Sequence, residues 1–184
     1  MDQISELMIE QLKDAYSAEK QALRGMQKMA KAATSATLKQ GIQMHMEQTE
    51  TQIERIEQAL EKLGGKPGRK VCEAMRGLIE EANHEMGEHE KGTMMDVIII
   101  AAAQRVEHYE IAAYGTMCAL AKAAGEAELA RLLGETLEEE KQTDAKLTEV
   151  AESEVNPAFI EEARGAESDG ANENRRGGGK RKAS

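Results

Sequence analysis

The sequence has no tryptophan, one phenylalanine, three tyrosines, two prolines and two cysteines in 184 residues. So few aromatics and prolines, beside plentiful Ala, Met, Leu, Glu, Lys and Gln, point to helices packed on helices. Cys72 and Cys118 are far apart, lie in helix-like segments and form no C-x-x-C pair. They are read as buried thiols of a reducing compartment rather than as a disulfide. No run of about 18 apolar residues offers a membrane span, and "MDQISELMIEQL" lacks the basic-then-apolar layout of a secretion signal. The chain is therefore expected to be soluble and cytoplasmic. There is no nucleophile constellation, phosphate-cradling glycine loop or zinc-spaced Cys/His set, which sets those reaction classes aside.

What is abundant is negative charge: 34 acidic against 24 basic residues, a formal net charge of −10. Arg175, Arg176, Lys180, Arg181 and Lys182 fall in the last ten positions, which hold no acid, so the body is more acidic still. Such a body repels nucleic acid and anionic membranes but attracts cations. A chain of this length is expected to form one domain, here about residues 1–155. Residues 156–184 are expected to add a helical turn or two at "NPAFIEEAR" and then a disordered basic tail.

Five helices follow from period and punctuation: about Ile4 to Ala33, Ala36 to Leu63, Val71 to Met86, Met94 to Ala124 and Ala127 to Ser153. In the first, Met8, Leu12, Ala15, Ala22, Met26 and Met29 draw one stripe, which Glu19 interrupts. In the second, Leu38, Ile42, Met46, Ile53, Ile56 and Leu60 are apolar, with Glu47 and Glu50 at mid-length. The fourth places Glu107 and Glu110 on the seam Ile100, Ala103, Tyr114, Met117 and Ala121. The fifth repeats the arrangement, with Glu140 and Asp144 between Leu137 and Leu147.

Helices joined by a tight turn run antiparallel, so residues equally far from the turn lie level. Glu19 and Glu47 are centred on Ala33, and Glu19 and Glu50 on the same "AATSAT" turn. Glu110 and Glu140 are centred on Gly125, with Glu107 and Asp144 half a residue beyond. If the two hairpins pack as a four-helix bundle, seven carboxylates converge near mid-height. Ionised carboxylates in an apolar interior each cost several kcal/mol to desolvate and raise one another's pKa. Lys20, Arg55, Arg105 and Lys141 lie off the acid-bearing seams, so metal ions are the expected counter-charge. His45 and His108, one residue from positions assigned to the seams, are read as surface groups or partners of ligands rather than ligands. Tyr16 and Tyr114 are read as packing groups with a satisfied hydroxyl or as partners of a ligand.

A Glu on each of two helices plus Glu-x-x-His on each of the other two marks ferritin-like di-iron and di-manganese carboxylate proteins. The runs "DAYSAEKQ", "HMEQTETQIERIEQ", "EAMRGLIEEAN", "IIAAAQRVEHYEIAAYGT" and "LLGETLEEEKQTDAKLT" resemble that superfamily. More closely, they are similar to the stress-associated YciE/YciF family over about residues 3 to 155. The resemblance implies an all-α four-helix bundle of two antiparallel hairpins, with a short extra helix, about 71–88, in the long crossover. It implies a site for two Fe or Mn ions at Glu19, Glu47, Glu50, Glu107, Glu110, Glu140 and Asp144. Glu50 and Thr143 stand where the superfamily has His. The expected activity is oxidation of Fe(II) or reduction of peroxide or dioxygen in stress protection. The rival is a metal-binding or structural bundle without turnover; in either case a homodimer or larger assembly is expected.

Overall fold

A computed structural model describes the backbone of residues 2–177 and the side chains of residues 2–166. Helices α1 (Gln3–Ala32) and α2 (Ala36–Lys62) form one antiparallel hairpin, and α4 (Thr93–Ala123) and α5 (Ala127–Val150) the other. They pack as a four-helix bundle, with α3 (Glu73–Gly87) in the crossover lying against α1 and α4. Each helix begins and ends within a few residues of its expected bounds, because the punctuation is chemical. Asp2 caps α1 by accepting from Ser5 N, and Ser35 caps α2 by accepting from Leu38 N. Gly125, at φ +78°, makes the left-handed turn between α4 and α5, where any side chain would be strained. No helix among the described residues is long and apolar enough to cross a membrane.

The turn between α1 and α2 is held from the opposite hairpin. Asp96, buried near the start of α4, accepts hydrogen bonds from Thr34 N at 2.7 Å, Thr34 Oγ1 at 2.5 Å and Ser35 N at 2.9 Å. The two hairpins are thereby locked in height, which matters because the acids have to meet. The crossover is fixed by Tyr109, whose hydroxyl donates to Asp14 Oδ2 at 2.9 Å and lies 2.9 Å from Cys72 Sγ. Both cysteines are free and buried, as expected.

The chain beyond α5 continues further than the one or two turns expected. Val155 is followed by α6 (Asn156–Gly177), after a π-helical turn over Ala151–Val155 in which Asn156 N–H bonds the Ala151 carbonyl. Pro157 has no N–H to offer the carbonyl four residues earlier, and the wider turn takes up that mismatch. The end of the expected tail, residues 178–184, lies outside the described residues.

Replacing Asp96 with Ala removes three charge-assisted hydrogen bonds to Thr34, which is exposed, and Ser35, which is half-buried, so water takes over part of their bonding. Urea denaturation is expected to show a loss of about 1–3 kcal/mol, and a smaller loss for Asp96→Asn.

Candidate metal centre

Glu107 and Glu110 of α4 occupy the same inward seam as Ile100, Ala103, Tyr114 and Met117, all buried. Glu19 of α1 and Glu140 of α5 face them and are likewise inaccessible, at 1 % and 0 % exposure. Four of the seven expected acids therefore do converge. The other three do not. Glu47 and Glu50 lie on the exposed face of α2. Asp144 sits half-buried at the rim of α5, taken up by Gln104 Nε2 at 3.1 Å and His108 Nδ1 at 3.4 Å.

The cause is the phase of α2. Its buried residues are Leu38, Ile42, His45, Thr49, Gln52, Ile56, Ala59 and Leu60, an alternation of four and three as far as Ala59. Met46 and Ile53, placed on the stripe from their hydrophobicity, are one step round from it and only partly buried. A shift of one residue turns a side chain by about 100°, enough to send Glu47 and Glu50 to solvent and bring His45 inside. Thr49, not a carboxylate, is the residue centred with Glu19 on the α1–α2 turn.

His45 is therefore buried among the glutamates and is not a surface group. Its Nε2 is 3.2 Å from Glu107 Oε1 and 3.5 Å from Glu140 Oε2, and its Nδ1 is 3.3 Å from Thr143 Oγ1. One ligand atom from each of His45, Glu107, Glu110 and Glu140 lies within 4.8 Å of the others. Glu19 stands beside this group, its Oε1 accepting a short hydrogen bond from the Tyr114 hydroxyl. Tyr16 turns away, accepting instead from Lys20 Nζ at 3.3 Å.

Among the described residues, His45 is the one basic side chain paired with these glutamates. Arg55, the nearest strong cation on α2, is bound by both nitrogens to Glu139, at 2.6 and 2.8 Å. The consequence is a deficit of positive charge. Burial pushes the Glu140 carboxyl up to about 11 and that of Glu19 to about 7, the latter held back by Tyr114. Glu110 lies well above the carboxylate range through burial, reinforced by Glu19, Glu140 and Glu107. Burial opposes charge on His45, yet the adjoining Glu107 carboxylate outweighs it and carries the imidazole above its ordinary value. Among the described residues, six buried side-chain atoms have no well-formed hydrogen bond: Glu107 Oε2, Glu110 Oε1, both Glu140 oxygens, Thr49 Oγ1 and Gln52 Oε1. Orphaned buried oxygens aimed at one another are costly unless a cation lies between them, and all-oxygen donors with one imidazole suit Fe or Mn.

The bundle defined here is ferritin-like: a Bacillus anthracis ferritin-like di-iron carboxylate protein superposes with TM-score 0.65 at 16 % identity, over 82 % of this chain and 99 % of that one. The chain belongs to the family described as a domain of unknown function (DUF892), which it matches over residues 3–159. It is 50 % identical over 157 residues to Protein YciF of Escherichia coli (strain K12), covering 85 % of this chain and 95 % of that protein. The structure of the E. coli stress protein YciF matches with TM-score 0.78 at 51 % identity, over 85 % and 99 % of the two chains. A Rhodopseudomonas palustris protein, YcfI, described as a candidate structural protein, matches with TM-score 0.76 at 42 % identity, over 80 % and 94 %.

The sign of the pH dependence follows from the raised carboxyls. In chelator-treated protein, Glu19 and Glu140 hold protons that the unfolded chain has released above about 4.5. Native protein binds more protons, so stability falls as pH rises from about 4.5 towards 7 for Glu19 and on towards 11 for Glu140. Urea midpoints between pH 5 and 9 are expected to decline accordingly. Glu140→Gln is expected to flatten the decline and stabilise the metal-free protein at pH 8 by about 1–3 kcal/mol.

Proposed function

We propose that this protein is a di-metal carboxylate protein, holding two Fe or Mn ions between Glu19, Glu107, Glu110 and Glu140, with His45 as the ligand from α2. The observation that carries the reading is the set of orphaned, buried carboxylate oxygens facing one another with a single imidazole as counter-charge. The likeness to a di-iron carboxylate protein supports the scaffold, and that to a stress protein supports the setting. Bound Fe or Mn would supply one-electron redox chemistry towards dioxygen or peroxide. The chain's own part is to orient and to manage protons. Thr143 fixes the His45 ring through Nδ1, leaving Nε2 to the site. Tyr114 holds one Glu19 oxygen, so that the other is free to bind or to take a proton as the charge in the site changes.

A rival reading, a static metal-binding or structural bundle, is favoured by Thr49 and Gln52, which put no carboxylate into the seam on α2. Either protein could self-associate, and Ile4 and Leu7, one turn apart and half exposed on α1, offer an apolar start for it.

Protein purified without chelators is expected to carry about two Fe or Mn ions per chain. Anaerobic loading with Fe(II) followed by air is expected to produce a near-ultraviolet di-ferric band. Glu107→Ala and Glu140→Ala should each abolish that band, and Glu47→Ala should leave it intact. Metal uptake without Fe(II) oxidation selects the static reading, and no uptake by the wild type sinks both metal readings.

A further inference from the structure

The carboxylate cluster is not enclosed on all sides. A cavity of about 470 Å³ opens between α2 and α5 and reaches inward to His45 and Glu107, two members of the cluster. That volume is typical of pockets for small organic molecules, roughly 300–1,000 Å³. Its inner walls are Met26 and Met29 of α1, Ile42 of α2, Ala103 and Val106 of α4 and Leu147 of α5. All six are buried and apolar. Polar groups are confined to the rim, where Gln40, Gln142 and Lys146 are exposed, and to the inner end, where His45, Gln48 and Thr143 gather.

This division of polarity is poorly matched to hydrated ions or peroxide alone, which gain nothing from a chamber of methionine and aliphatic side chains. It matches a chain of methylenes, which flexible methionines accommodate readily. The head group follows from charge. An anion at the inner end would meet the glutamates, and the rim cation Lys146 is already paired with Glu149 at 2.9 Å. An ammonium is not called for once metal ions balance the cluster, whereas Gln48 and Thr143, beside His45, offer hydrogen bonds to a neutral oxygen.

We propose that this cavity seats an uncharged aliphatic molecule with one terminal oxygen, an alcohol or aldehyde, its chain among Met26, Met29, Ile42 and Leu147 and its oxygen beside His45. Its role as a substrate and its neutral head group rest on the metal-centre reading; the seating of its aliphatic chain does not. Gly41 of α2 lines the opening, and a Cβ there would meet no atom within 4 Å. Gly41→Leu therefore starts a bulky side chain from open space at the entrance, and leucine favours helix over glycine.

The probes are 1-decanol and sodium decanoate, titrated into protein as purified and labelled with ¹³C at the methionine methyls, with metal content measured on the same sample. Saturable shifts are expected at Met26 and Met29 and none at Met8 or Met117, which pack in the other half of the core. Decanol should bind at least tenfold more tightly than decanoate. Gly41→Leu, its fold checked by circular dichroism, should weaken decanol at least tenfold with unchanged metal content. The proposal is overturned if no saturable shift appears, if decanoate binds as tightly, or if folded Gly41→Leu binds decanol undiminished. Decanol binding to protein that takes up no metal would instead sink the metal reading and leave the pocket standing.

Discussion

Four glutamates and one histidine are buried together in the core, and the rest of the bundle is arranged around that electrostatic demand. Left alone, the carboxylates are held together only by taking up protons and by the His45 imidazole. With metal ions between them, the same groups change from the most costly feature of the core to its best-bonded part. The orphaned oxygens of Glu107, Glu110 and Glu140 are the observation on which the proposed metal centre rests.

The scaffold serves that demand by fixing height. Asp96 reaches from α4 to the turn between α1 and α2 and so sets one hairpin against the other, while Gly125 sets the register within the second. The cluster divides the core into two apolar halves. One is built around Leu12, Ile56 and Tyr114. The other, around Met26, Met29 and Leu147, contains the cavity that leads outward between α2 and α5.

Most of this arrangement is legible in the residues themselves. Helix limits follow from Ser35, the "GGKPG" stop and Gly125, and the mirror relation about Gly125 brings Glu110 level with Glu140. Glu19, Glu107 and Glu110 interrupt stripes that are otherwise apolar, so their burial is visible from spacing. On α2 the signal fails for a physical reason: the middle of its inward face is His45, Thr49 and Gln52, so hydrophobicity marks the wrong phase there. Continuing the strict four-and-three step from Leu38 and Ile42 through to Ile56 finds His45 and excludes Glu47 and Glu50. On α5 the same step runs Leu133, Thr136, Glu140, Thr143 and Leu147, so Thr143 faces His45 and Asp144 falls one residue outside, where Gln104 and His108 bind it.

The central claim is that the buried glutamates exist to hold a cation, and linkage makes it directly measurable. A ligand that binds only the folded state raises the unfolding midpoint, and at a hundred times its dissociation constant it adds about 2.7 kcal/mol. Thermal unfolding of chelator-treated protein at pH 7.5, with and without anaerobic Mn(II), should show a rise of several degrees that Glu140→Gln abolishes. An identical midpoint with and without Mn(II), and likewise with Fe(II), would contradict the account.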